Sequence, residues 1–151
     1  MIKASEVKKL REITGAGMMD CKKALEEAKG VMDEAIKLVK ERGLAKAEKK
    51  ADRLTNQGYV GSYVHSNGSI GALVELQCET DFVARNDEFK QLACEIAMQV
   101  AAMAPENEAE LLKQEMIKNN EVTVEEAMKL LSGKIGEKIV LGRFMRMMIG
   151  E

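Results

Sequence analysis

The hydropathy period of this chain changes in one place, and that change restricts what it can fold into. Across GYVGSYVHSNGSIGALVELQC, residues 58–78, apolar side chains recur at every second position, whereas the flanking segments repeat at three and four. A period of two belongs to a strand and one of 3.6 to a helix, so a β segment sits between helical ones. Val60, Ser62 and Val64 alternate with Tyr59, Gly61, Tyr63 and His65, and after Asn67-Gly68 the set Ile70, Ala72, Val74, Leu76 and Cys78 alternates again. Asn-Gly between two such runs predicts a β-hairpin with a type I′ turn, in which both loop residues take positive φ. An isolated hairpin is marginal in water and needs a third strand. IVLGRFMRMMI, residues 139–149, is the other strand-like run, with Ile139, Leu141, Met145, Met147 and Ile149 expected on one side and Val140, Phe144 and Met148 on the other.

Before the hairpin, Val7, Leu10 and Ile13 mark one helix face, with Ser5 as N-cap and Thr14-Gly15-Ala16-Gly17 as the stop. Met18, Cys21, Leu25 and Ala28 mark a second helix ending at Gly30, and Met32, Ala35, Ile36 and Val39 a third ending at Gly43. A three-helix bundle follows. Residues 44–54, LAKAEKKADRL, carry Lys46, Lys49, Lys50 and Arg53 and predict an exposed basic linker helix, diluted by Glu48 and Asp52. The domains are therefore expected at 1–54 and 55–151.

After the hairpin, Asn86 is expected to cap a helix whose Phe89, Leu92, Ala93, Ile96, Val100 and Met103 form one stripe covering the sheet, ended by Pro105. A polar helical stretch is expected over 106–119. Thr123 and Glu126 then form a capping box for a helix through Ala127, Leu130 and Leu131, closed by Gly133 and Gly136. The fold class is α+β.

The chain has 151 residues, 23 Lys and Arg against 25 Asp and Glu, and a net charge of −2, which argues against wholesale electrostatic attachment to nucleic acid or lipid. The three cysteines, Cys21, Cys78 and Cys94, lack zinc spacing and read as reduced thiols. The start, MIKASEVKKLRE, has no apolar signal core, and no apolar run approaches a bilayer span, so a cytoplasmic location is expected. His65 is the only histidine and reads as a strand residue. Gly15 and Gly17 follow a helix, not the strand that a phosphate loop needs. No nucleophile, base and orienting group can be assembled, so side-chain catalysis is not expected.

Two segments stand out as contact candidates. Met18 and Met19 open a helix side by side, so one of them is expected to face solvent. Glu79-Thr80-Asp81-Phe82-Val83-Ala84-Arg85-Asn86 joins the hairpin to the long helix and spends one of few aromatics, 3% of the chain, on a turn. Phe82 there either tucks under the turn as a hydrophobic staple or stands out as a contact.

Three strings, LREITGAGMMDCKKALEEA at 10–28, CETDFVARN at 78–86 and KIGEKIVLGRF at 134–144, closely resemble the bacterial elongation factor Ts family. The resemblance implies a guanine-nucleotide exchange factor for elongation factor Tu, with an N-terminal ubiquitin-associated-like three-helix domain and an α+β core. It implies that Thr80, Asp81, Phe82 and Val83 enter the partner near its nucleotide-bound magnesium, and that Arg11, Met18 and Met19 dock on the GTPase domain. The partner is then elongation factor Tu in its GDP-bound and nucleotide-free forms, with no direct nucleic acid, no membrane and no cofactor; self-association is compatible with the resemblance. The chain departs from the family in a shortened region after Pro105, in Gly142 where arginine is usual and in Lys138 where asparagine is usual. An alternative reading is an adaptor or RNA-associated module that uses the bundle and the basic helix.

Overall fold

The computed structural model describes residues 1–151 and contains seven helices and one three-stranded antiparallel sheet, an α+β fold. The residues group into two compact units, 1–52 with 129–136 and 53–128 with 137–151.

In the first unit, α1 (Ala4–Thr14), α2 (Met18–Glu27) and α3 (Met32–Glu48) form a three-helix bundle. Val7 and Leu10 of α1, Cys21, Ala24 and Leu25 of α2, Ala28, and Ala35 and Val39 of α3 make its core. Burying these apolar faces together is what stabilises helices too short to persist alone. α1 begins earlier than Ser5: Lys3 is the N-cap, and its backbone N–H donates to the Glu6 carboxylate at 2.8 Å. A carboxylate at the third helical position does the work assigned to the serine. Ile13 is 40% exposed rather than part of the core, and Met18 and Met19 are both exposed rather than one of them. Ala24 completes the α2 face, so that Met18 is not needed there.

Gly43 does not end α3, which continues to Glu48. A Cβ at Gly43 would stand 3.2 Å from Leu130 Cδ2, and one at Gly133 would stand 3.4 Å from Gly43 Cα. These glycines let α3 approach the end of α7 (Val124–Ile135) closely, and Gly133 is likewise inside its helix. Residues 44–54 are not a separate exposed basic helix. Residues 44–48 are the last turn of α3, and Lys50 is buried, donating through Nζ to the Ser132 carbonyl at 2.8 Å. An ammonium removed from water needs such a protein acceptor in water's place.

In the second unit, β1 (Gln57–Val64), β2 (Ile70–Cys78) and β3 (Val140–Met148) pair antiparallel in the order β1-β2-β3. The hairpin forms where expected, but its turn is not type I′, because of the two loop residues only Gly68 has positive φ, 70°. Gly68 N–H donates to the His65 carbonyl at 2.7 Å, and Asn67 Oδ1 accepts from Ser69 N and Oγ. Asn67 thus serves the loop with its side chain instead of taking the left-handed conformation.

The α5 helix (Asp87–Met103) lays Phe89, Leu92, Ala93, Ile96 and Val100 against the sheet face that carries Ala72, Val74 and Leu76; Met103, at its end, is exposed. At Gly61 an added Cβ would lie 2.4 Å from the Ala93 backbone, so α5 sits directly on β1. Arg146 Nε donates to the Ala101 carbonyl at 3.0 Å, bringing a cation to the helix C-terminus. Over 106–119 only α6 (Glu108–Lys113) is helical. The remainder is held open by the buried Gln99 amide, which donates to the Glu115 carbonyl and accepts from Ile117 N. Thr123 and Glu126 make the expected reciprocal cap of α7.

The two sides of β3 are not as the alternation predicts. Register shifts between Val74 and Leu76, so that Leu141 stands opposite Leu76 and Phe144 opposite Val74. That irregularity flips the alternation: Leu141 is buried while Met145, Met147 and Ile149 point to solvent. With Val60, Val64 and Leu73 they form an exposed apolar sheet face.

Candidate functional site

The link between β2 and α5 is a single helical turn, α4 (Asp81–Ala84), capped at both ends. Thr80 is the N-cap, and its Oγ1 accepts from Val83 N at 3.4 Å. Asn86 N–H closes the turn on the Val83 carbonyl, and Asn86 Oδ1 then caps α5 by accepting from Glu88 N and Phe89 N. Four residues cannot bury two faces. Val83 and Ala84 go inward, which leaves Asp81 and Phe82 outward. Phe82 is 84% exposed, so the staple reading fails, and Val83 is the residue that anchors the turn. Asp81 pairs with Arg85 at 3.2 Å, in a solvent-facing i, i+4 arrangement worth little.

The base of the turn is held from the far end of the sequence. Glu137 Oε1 accepts from Glu79 N at 3.1 Å and Thr80 N at 2.9 Å, and Oε2 accepts from Thr80 Oγ1 at 2.6 Å. In return Glu79 Oε1 accepts from Lys138 N at 2.7 Å and from Arg53 Nη1 at 3.2 Å. Cys78 Sγ lies 3.2 Å from the Thr80 carbonyl and donates to it. Burial, reinforced by the Glu137 charge, pushes that thiol up to about 11, so it keeps its proton at neutral pH. No motif in the sequence marks Glu137. The available signal was a carboxylate placed just after Gly136 and before the last strand.

Of the two departures at and just before β3, Lys138 contributes its backbone N–H to Glu79, a contact indifferent to side-chain identity. At Gly142 an added Cβ would lie 2.8 Å from Glu75 Oε2. The Glu75 carboxylate fills that space and accepts from Arg143 N at 2.9 Å and Nε at 3.0 Å. Those hydrogen bonds hold Glu75 down at about 2.

Arg11, Met18 and Met19 bracket the Gly15–Gly17 turn of the first unit, and all three are exposed. The Thr80–Val83 turn belongs to the second. The basic strip is broken up: Lys46 Nζ pairs with Asp20 at 2.7 Å, Lys50 is buried and Arg53 is engaged by Glu79. No helix is long and apolar enough to cross a membrane.

The chain is similar to known proteins along its whole length. The family described as Elongation factor TS matches residues 79–151. Elongation factor Ts of Solidesulfovibrio magneticus is 40% identical over 99% of this chain and 98% of the relative. That of Thermoanaerobacter sp. is 44% identical over 100% and 96%, and that of Thermosipho melanesiensis 53% identical over 95% and 74%. The first alignment extends over 195 positions, more than the 151 residues present, so that relative carries internal residues this chain lacks. With relatives at least 40% identical matching along the whole chain, this protein belongs to the elongation factor Ts family of translation elongation factors.

Proposed function

We propose that the chain promotes release of GDP from elongation factor Tu by inserting the Thr80–Val83 turn beside the partner's nucleotide and magnesium. The observation that carries this reading is Phe82, a rigid apolar ring held in solvent by a turn whose neighbours are all satisfied. Exposing such a ring opposes solvation in the free protein and is repaid where the ring displaces something. Phe82 is the wedge, and Asp81, released from its weak pairing with Arg85, draws hydrogen-bond donors away from the coordination shell. Val83 and Thr80 fix the wedge to the core. Arg11, Met18 and Met19 dock the first unit on the GTPase domain, where exposed methionines adapt to an apolar surface.

No proton needs to move in this scheme. The chain binds nucleotide-free elongation factor Tu more tightly than the GDP form, and linkage requires GDP to weaken the chain's binding by the same free energy. Acceleration comes from stabilising the state in which nucleotide has left. The test is release of fluorescent GDP from elongation factor Tu, chased with unlabelled nucleotide, with and without the chain. Acceleration that Phe82→Ala reduces at least tenfold is expected, and a wild-type chain that leaves the rate unchanged refutes the reading.

A further inference from the structure

Glu79 and Glu137 stand 58 residues apart in sequence, yet each carboxylate takes a backbone N–H from the other's segment. Glu137 also takes the Thr80 hydroxyl, and Thr80 Oγ1 in turn accepts from Val83 N inside α4. The carboxylate therefore reaches the first turn of α4 through one atom. Two carboxylates side by side repel, and this pair is compensated by the N–H groups of Glu79, Thr80 and Lys138, the Thr80 hydroxyl and Arg53. Charge-assisted hydrogen bonds of this kind are shorter and stronger than neutral ones. A four-residue helix has almost no stability of its own, because nucleation fixes several dihedrals for a single bond. Something outside α4 has to hold it.

We propose that Glu137 and Glu79 form a reciprocal clamp that preorganises the Thr80–Val83 turn, with Glu137 acting as a positioning residue for nucleotide release. This rests on the exchange reading above. A wedge that is free to fray must be ordered at the moment it enters the partner, and that ordering subtracts from the stabilisation of the nucleotide-free complex. A clamp settles the ordering during folding instead. Glu137 touches neither nucleotide nor partner in this scheme and acts through the position of Phe82.

The experiment measures release of a fluorescent GDP analogue from elongation factor Tu against concentration of the full-length chain, giving a saturating rate and a half-saturation concentration. Glu137→Ala is expected to lower the saturating rate about tenfold, the size of losing a charge-assisted bond network. In a chain that already carries Phe82→Ala, the same substitution is expected to change the rate less than twofold, since there is no wedge left to position. Glu137→Gln keeps the shape and one accepting oxygen and is expected to recover part of the loss; should the alanine variant fail to fold, the glutamine variant carries the same cycle. A saturating rate equal to wild type, or equal losses with and without Phe82, overturns the clamp and leaves the exchange reading standing. A wild-type chain without effect on release overturns both.

Discussion

Phe82 is exposed and Glu75 half-buried, and each owes its behaviour to the atoms immediately around it. With 84% of Phe82 in solvent, Phe82→Ala is expected to shift unfolding stability by no more than about 0.5 kcal/mol, as for other surface truncations. Thermal or urea unfolding of the variant checks this, and a loss of about 3 kcal/mol would restore the buried staple. Glu75 is held at about 2 by the Arg143 side-chain and backbone N–H groups, below its ordinary 4.5. Its charged form is thus favoured by folding, so its contribution is complete above about pH 4.5 and fades as pH falls towards 2. The melting-temperature gap between wild type and Glu75→Gln is expected to be constant above pH 5 and to close between 4.5 and 2. The gap is small, since solvent and salt screen an exposed pair. Phe82 itself was visible in the sequence as an aromatic out of place, but whether it faced in or out was not. Four residues of helix carry no periodicity to decide it, and the partner of Thr80 is 57 residues away.

At the scale of elements, those with a long periodic pattern were legible and those set by a distant contact were not. α5 shows its stripe, its Asn86 cap and its Pro105 stop in the primary sequence, and the structure has all three except that the stripe ends at Val100, Met103 being exposed. Gly43 and Gly133 look like helix stops locally and prove to be points of close helix approach, a distinction made by a residue far along the chain. The β3 strand was legible as the partner the hairpin needs, while the irregularity that turns Met145, Met147 and Ile149 outward was not, since it depends on register against β2. Pairing on one edge and α5 behind the sheet should make β3 as hard to open as its neighbour. In the intact chain, amides 140–148 are expected to resist hydrogen exchange nearly as well as 70–77, and exchange at the rate of an unstructured peptide would remove β3 from the sheet.

The whole molecule is less simply divided than a cut at residue 54 supposes, because residues 129–136 group with the N-terminal bundle. Leu130 stands over Gly43, and Ser132 receives the Lys50 ammonium, contacts that only the folded chain brings together. A fragment of residues 55–151 is therefore expected to keep exchange protection over 70–77 and 140–148 and to lose it over 129–136. Loss of protection across the sheet as well would show that the second unit cannot stand without the first. Each unit also encloses one thiol: Cys21 is fully buried in the bundle and Cys78 at the end of β2, while Cys94 is half-buried on α5. Burial raises both enclosed thiols, and the protonated form does not attack an alkylating reagent. Once Cys94 has been blocked, slow labelling of Cys21 records openings of the first unit and labelling of Cys78 openings of the second. The native chain thus carries two internal clocks, one for each half of its unfolding, with no reporter added.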